Sequence, residues 1–281
     1  MKNLYRPIES VIEHIKPETP NITTYRFRPK EPVGFEAGQF VELTVPGVGE
    51  APFTPSSNPN VTDTMEITIM SVGTVTEALT KMKVGDTVGI RGPYGNGYNL
   101  ADFEGKEILI MGGGVGLAPL RSLILALFED VGKYKKISIR YGARTPEDIV
   151  YKDILPEWAK MTNTEVLQTI DEPHPDWRGT VGVVTVLLDD LPLLTTVDVE
   201  KLPFDRETAI ACVCGPPIML KFVNAALLDK GFNPENIYHS MERNMSCGLG
   251  KCGHCMMVEH YICKDGPVMT AAQVAKFEDP F

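Results

Sequence analysis

From about Glu104 onward the sequence alternates apolar strand segments with helical ones, and this alternation restricts the available architecture more than any other feature. KEILIMGGG is an apolar strand ending in glycines, APLRSLILALFEDVG is helical in spacing, and KISIRYGA is a strand again. EVLQTID, TAIACVCG and NIYHSM continue the strand character, with GVVTVLLDDL and PPIMLKFVNAALLDKG between them. Thr145-Pro146-Glu147-Asp148 predicts a further helix start, with a Thr cap, a Pro in the first turn and acids at the positive end. Five strand candidates separated by helices imply a parallel sheet covered on both faces.

The residues before this region read differently. ITTYRFRP, GQFVELTVP, MEITIMSV and DTVGIRGPYG are short runs rich in Thr, Val, Ile and aromatics, punctuated by Pro and Gly. Strands at such spacing predict a barrel or sandwich, interrupted by one helix, TEALTKM, just after Gly73. After Met241 the regular pattern stops and a cysteine-rich segment begins. The expected domains are therefore residues 1–102, 103–240 and 241–281.

The net charge of −10 argues against a nucleic-acid surface, which needs clustered Lys and Arg. The N-terminal MKNLYRPIESVIEH has no apolar core of signal-peptide length. The longest greasy run, LILALF, falls far short of the roughly 18 apolar residues of a membrane span. A cytoplasmic chain with reduced thiols is expected. Six cysteines, four of them clustered, then point to metal and not to disulfides.

Several loops carry candidate chemistry. In IMGGGVGLAP a strand runs into Gly112, Gly113, Gly114 and Gly116, and a helix follows through Ala118 and Pro119. Glycines let backbone approach a ligand closely, and a helix N-terminus offers unpaired N–H groups to a pyrophosphate. The spacing is not the strict G-x-G-x-x-G, and a tight strand-to-helix turn with no ligand has the same appearance. VCGPPIM ends the fourth strand, at the sheet edge where ligands of open α/β sheets bind. There Gly215 permits close approach, Pro216 or Pro217 opens the next helix, and Cys214 either faces a ligand or is a buried strand thiol. Cys212, in the strand interior, is expected to be buried. In the first half, Pro52, Phe53 and Thr54 offer an aromatic ring and a hydroxyl. Gly73, Thr74, Val75 and Thr76 open the only helix there. Phe53 reads equally as core, and Thr76 as a plain N-cap.

The cysteines give the most specific signal. Cys247-x4-Cys252-x2-Cys255 has the loop spacing of plant-type [2Fe–2S] ligation, with Cys263 as a fourth sulfur only seven residues further on. Gly248, Gly250 and Gly253 allow the backbone to wrap tightly and turn N–H groups toward sulfur. Structural zinc is the competing reading, although it usually takes paired C-x2–4-C couples separated by a longer loop. His254, between the ligands, reads as a surface or supporting residue.

Taken together, these motifs make nearly the whole chain resemble the ferredoxin-reductase-like electron-transfer subunits. The resemblance rests on GQFVEL, GEAPF, VGTVTEAL, GDTVGIRGPYGNGY, GGGVGLAPLRSL, YGARTPEDIVYKD, CGPPIM and ERNMSCGLGKCGHC…YICKDGPV. The nearest branches in this resemblance are the gamma subunit of soluble [NiFe] hydrogenases and the corresponding subunit of anaerobic sulfite reductases. The dihydroorotate dehydrogenase electron-transfer subunit is further off. The resemblance implies an antiparallel six-stranded FAD-binding barrel, a five-stranded parallel-sheet NAD(P)-binding domain and a small C-terminal [2Fe–2S] segment. It places Pro52, Phe53 and Thr54 at the flavin ring and Gly73, Thr74, Val75 and Thr76 at the FAD pyrophosphate. Gly112, Gly113, Gly114 and Gly116, with Ala118 and Pro119, would line the NAD(P)H site, with Cys214, Gly215 and Pro216 near the nicotinamide. Cys247, Cys252, Cys255 and Cys263 would be the cluster ligands. Ala51 and Met70 stand where the broader superfamily carries arginines.

The implied function is electron transfer among NAD(P)H, FAD and the cluster, to or from the iron–sulfur and catalytic subunits of a larger complex, with no catalytic acid or base. A non-catalytic redox-sensing or docking subunit is the alternative. Arg144, just past the second strand of the sheet, is a candidate contact for a 2′-phosphate, for adenine or for the local turn, so the choice between NAD and NADP is open.

Overall fold

The computed structural model describes residues 5–189, 204–278 and 280–281. The first residues of the N-terminal reading, 1–4, and the end of GVVTVLLDDL, 190–191, lie outside them. The chain forms two compact units. The first comprises the chain up to Tyr98, Arg121–Ala126 and Met241–Val268; the second comprises Asn99–Leu120, Leu127–Ser240 and Met269–Phe281.

In the first unit, β1 (Ile8–Pro17), β2 (Ile22–Pro29), β3 (Phe40–Val45), β4 (Gly49–Phe53), β5 (Met65–Met70) and β6 (Thr87–Tyr94) make a six-stranded sheet. Its order is β4-β3-β6-β1-β2-β5, and every pair is antiparallel. It is the barrel-type sheet expected from the sequence. α1 (Thr74–Leu79) is the helix predicted after Gly73. Strand periodicity explains the packing. In β2, Tyr25 and Phe27 point into the core while Arg26 and Arg28 face water. Phe27 is fully buried among Ile12, Val41, Ile67 and Ile90.

After the barrel, β7 (Glu107–Gly113), α2 (Leu117–Phe128), β8 (Lys136–Ala143), α3 (Leu155–Trp158), β9 (Thr164–Ile170), β10 (Thr180–Val181), β11 (Ile210–Cys214), α4 (Pro217–Asp229) and β12 (Ile237–Ser240) follow in order, all in the second unit except the middle of α2. The small β13 (Met256–Met257) and β14 (His260–Tyr261) pair with each other, and α5 (Ile262–Asp265), β15 (Val268–Thr270) and α6 (Ala271–Val274) close the chain. The larger sheet has the order β10-β9-β8-β7-β11-β12-β15. All five expected strands are present and parallel, and the short strands β10 and β15 widen the sheet to seven. From β7 the chain winds outward through β8 and β9, and then from β11 to β12 on the other side. The switch point therefore lies between β7 and β11.

Two expected helices are shorter than predicted. Past Thr145, the chain makes one 3-10 turn, Pro146–Asp148. The Thr145 hydroxyl binds the Asp148 carboxylate instead of capping backbone, and Tyr151 at φ 61° cannot continue a helix. GVVTVLLDDL contributes a 3-10 turn, Val184–Leu188, whose Val184, Leu187 and Leu188 enter the core.

Truncating Phe27 to Ala removes a fully buried ring from the barrel core and should cost about 3–5 kcal/mol. The expected result is an earlier unfolding transition for the barrel in thermal denaturation followed by circular dichroism.

Candidate functional site

The glycine loop at residues 112–116 meets Cys214, Gly215 and Pro216 at the carboxyl ends of adjacent strands, because β7 and β11 run in parallel register with Gly112 opposite Cys214. Gly114 takes φ +54°, and the 3-10 turn Gly114–Gly116 leads directly into α2. A β-carbon on Gly116 would press into the backbone carbonyl of Cys214 and the Cα of Gly215; one on Gly113 or Gly215 would strike the Met219 sulfur. The glycines thus let two loops touch backbone to backbone. Tyr141 supports this cradle from β8: its hydroxyl donates to the Gly114 carbonyl at 3.1 Å and accepts from the Val150 N–H at 3.1 Å. Burial raises its pKa, so it stays a donor. Nothing in the sequence marks Tyr141, because an aromatic in a strand reads as core.

Ala118 is buried inside α2, and Pro119 is half-buried one residue on. Cys212 and Cys214 are both fully buried, as strand alternation places them on one face; the Cys214 backbone, not its thiol, lines the cradle. Pro216 is exposed before α4. Arg144 is exposed past the end of β8. There its charge acts on Asp171, whose carboxyl burial pushes up and Arg144 pulls down.

In the first unit, Pro52 and Phe53 end β4 and Thr54 follows, all half-buried, and the Phe53 ring packs on the barrel core. Thr76 does more than cap α1. Its hydroxyl accepts from the N–H groups of both Val72 and Gly73 at 2.9 Å and donates to the Gly73 carbonyl. That closes the loop and leaves the first-turn N–H groups of Thr74, Val75 and Thr76 without helical partners. Phe53 is a ring beside a hydroxyl, and the turn presents unpaired donors, so this region suits a flavin and its pyrophosphate.

The four cysteines act on one another as two couples: Cys252 helps hold the Cys247 thiol down, and Cys255 helps push the Cys263 thiol up. Gly248, Gly250 and Gly253 take φ values of +70°, +66° and +84°, which turn the loop inward. The resulting N–H groups aim at sulfur: Leu249 and Lys251 donate to Cys247 Sγ at 3.3 Å, Gly250 to Cys263 Sγ at 3.0 Å, and Cys263 to Cys255 Sγ at 3.4 Å. Burial pushes the Cys247 thiol up, but these N–H groups and Cys252 outweigh it and bring it down to about 6. Burial and Cys255 push Cys263 up to about 12. Four sulfurs in two couples, cradled by amides, fit a two-iron cluster, in which each iron takes two protein ligands. Cys252 is exposed, whereas Cys255 and Cys263 are buried. His254 is exposed and bonds the Ser246 hydroxyl at 2.8 Å.

The group that holds this loop has no role assigned from sequence. Glu42 on β3 lies opposite Pro52 on one side and Arg91 on the other. Arg91 donates to Glu50, to Tyr94 and to the carbonyls of Ser246 and Cys247. Both charges lie on the strand face opposite the core residues Val41, Leu43, Val88 and Ile90 and yet are buried, a pairing that FVELTV and VGIRG do not announce by themselves.

Comparison with known proteins agrees with this geometry. Residues 10–98 match the family model for the oxidoreductase FAD-binding domain, 110–225 the oxidoreductase NAD-binding domain, and 242–275 the iron-sulfur cluster binding domain of dihydroorotate dehydrogenase B. Sulfhydrogenase 1 subunit gamma of Pyrococcus furiosus is 39% identical over 90% of this chain and 86% of its own length. A probable dihydroorotate dehydrogenase B (NAD(+)) electron transfer subunit of Methanocella arvoryzae is 35% identical over 97% and 94%. The solved NADH-dependent reduced ferredoxin-NADP oxidoreductase superposes with a TM-score of 0.74 at 26% identity, covering 94% of this chain and 88% of that one.

The close contact at Gly116 is open to direct test. Gly116→Ala must force the β7 and β11 loops apart, at a cost of about 1–3 kcal/mol. In isothermal titration the variant should bind NADH more weakly while keeping wild-type flavin and iron content. Glu42 is fully buried, and burial, opposed by Arg91 and reinforced by the Glu50 and Cys247 charges, raises its carboxyl to about 7. An unfolded Glu titrates near roughly 4.3, so the native state binds the extra proton between those values. Stability should therefore fall as pH rises from about 4.3 through 7, and Glu42→Gln should flatten that slope in urea unfolding. A slope unchanged in the variant assigns it to other groups.

Proposed function

The chain belongs to the family of FAD- and NAD-binding electron-transfer subunits with a C-terminal iron–sulfur domain, and on that premise we propose how its residues divide the work. It is an electron-transfer subunit of a multisubunit oxidoreductase, with FAD-, NAD- and iron–sulfur-binding domains. When bound, the flavin converts the two-electron chemistry of a nicotinamide into the one-electron chemistry of an iron–sulfur cluster. The protein's part is to bind, orient and tune these groups, so no side-chain acid or base is assigned.

In this reading residues 112–116, Ala118 and Pro119, with Cys214, Gly215 and Pro216, hold the dinucleotide at the switch point of the sheet, and Arg144 lies at its far end. Pro52, Phe53 and Thr54 take the flavin ring, and Gly73, Thr74, Val75 and Thr76 its pyrophosphate. Cys247, Cys252, Cys255 and Cys263 hold the [2Fe–2S] cluster, with the exposed Cys252 side toward the partner. The partners are iron–sulfur and catalytic subunits of the kind implied by the sulfhydrogenase gamma relative, in a cytoplasmic complex such as a [NiFe] hydrogenase or sulfite reductase. Among the described residues no helix is long and apolar enough to cross a membrane, which is compatible with that placement.

The observation that carries the proposal is the cysteine loop, where amide donors converge on the sulfurs of two thiol couples in the same compact unit as the barrel. Cys252→Ser should leave NAD(P)H bleaching of the flavin band intact and abolish reduction of the native partner complex. Wild-type protein that shows no flavin band, or none that NADH or NADPH bleaches, overturns the reading.

A further inference from the structure

Arg91 ties four groups of the first unit together. It is 5% exposed. Nε and Nη2 grip the Glu50 carboxylate at 2.9 and 2.8 Å. Nη1 donates to the Tyr94 hydroxyl at 3.1 Å and to the Cys247 carbonyl at 2.9 Å, and Nη2 donates to the Ser246 carbonyl at 2.6 Å. A planar fork of five fixed donors can grip a carboxylate through two nitrogens while reaching a hydroxyl and two carbonyls; a lysine, with three donors on one atom, has no such spread.

Arg91 also has a defined address. Pro52, Glu42 and Arg91 are successive partners across β4, β3 and β6, so they project from one face of the sheet. The row begins at the segment assigned to the flavin ring and ends, through the guanidinium, at the first cluster ligand. Tyr94 completes the seat: a β-carbon on Gly248 would fall 2.7 Å from its ring, so ring and loop are in close contact.

We propose that Arg91 is the positioning residue of the electron exit: its guanidinium fixes the Ser246–Cys247 backbone to the barrel and biases the cluster toward its reduced form. Reduction adds negative charge to the cluster, and a cation bonded to the carbonyl of one of its ligands favours that state. Charge and hydrogen bonding around the sulfurs are what set iron–sulfur potentials. Glu50 grips the Nε and Nη2 side of the same guanidinium and works against it, less strongly because it does not touch the ligand backbone. The inference rests on the cluster assignment made above.

The test is a redox titration of the purified holoprotein, with the [2Fe–2S] signal followed by electron paramagnetic resonance. Arg91→Gln should shift the midpoint potential to more negative values. Glu50→Gln should shift it to more positive values, and Arg91→Lys, which keeps the charge, should stay nearer wild type than Arg91→Gln. Flavin content and flavin reduction by NADH should be unchanged in all three. Shifts of opposite sign in Arg91→Gln and Glu50→Gln support the inference; wild-type potentials in both, or shifts of the same sign, overturn it. If Arg91→Gln fails to assemble, Glu50→Gln decides: a positive shift supports the proposal and no shift overturns it. A wild-type protein without a [2Fe–2S] signal overturns the functional reading and this inference with it.

Discussion

The backbone-to-backbone contact of Gly116 with Cys214 and Gly215 is the constraint on which the candidate dinucleotide cradle depends. Parallel pairing places the ends of β7 and β11 side by side, but pairing alone would leave two loops held apart by their side chains. With no β-carbon at 116 the two loops close backbone to backbone into one surface, and with none at 113 or 215 the Met219 sulfur fits against it. Such a surface has little to give a ligand except amide dipoles and closeness, which is what a pyrophosphate requires. The Tyr141 hydroxyl then fixes the one carbonyl that the left-handed Gly114 turns out.

The first unit solves the opposite problem. Its cysteine loop is held by a charged side chain that reaches the loop backbone, with the Tyr94 ring packed beside it. Arg91, Glu42 and Glu50 form a buried or half-buried ionic group in which, among the described residues, neither Glu42 oxygen has a hydrogen-bond partner. Left alone, such a carboxyl would destabilise the barrel, and its raised pKa is the measure of that penalty. The barrel tolerates the cost because the cation beside it is also tied to the loop carbonyls.

Much of this was legible in the amino acids. Runs rich in Thr, Val, Ile and aromatics located four of the six barrel strands, β2, β3, β5 and β6, but not β1 or β4, and the strand–helix alternation located all five main strands of the parallel sheet. The three glycines of the cysteine loop were required for the positive φ angles they adopt. What escaped depends on partners distant in sequence. Thr145-Pro146-Glu147-Asp148 has every local mark of a helix start, yet the Val150 N–H is taken by Tyr141 and the segment turns away. Strands β10 and β15 are two and three residues long, too short for any periodicity. Cys214 was undecided because strand alternation and loop position disagree there; alternation prevailed, and the thiol is buried. Arg91 and Glu42 stand within recognisable motifs, but their roles rest on a loop far along the chain.

That separation has a consequence for how the protein is made. The bonds from Arg91 to the cysteine loop span 155 and 156 residues, and the Asn96 N–H donates to the Gly266 carbonyl across a comparable stretch. Contacts of such long range pay a large loop-closure entropy and form late. During synthesis the barrel strands emerge, then the α/β unit through β12, and only afterwards the segment that completes the barrel's ionic group, with β15 and α6 behind it. Until then Arg91 has Glu50 and no carbonyls to hold. A chain interrupted before Ser246 therefore leaves that ionic group without its two carbonyl partners.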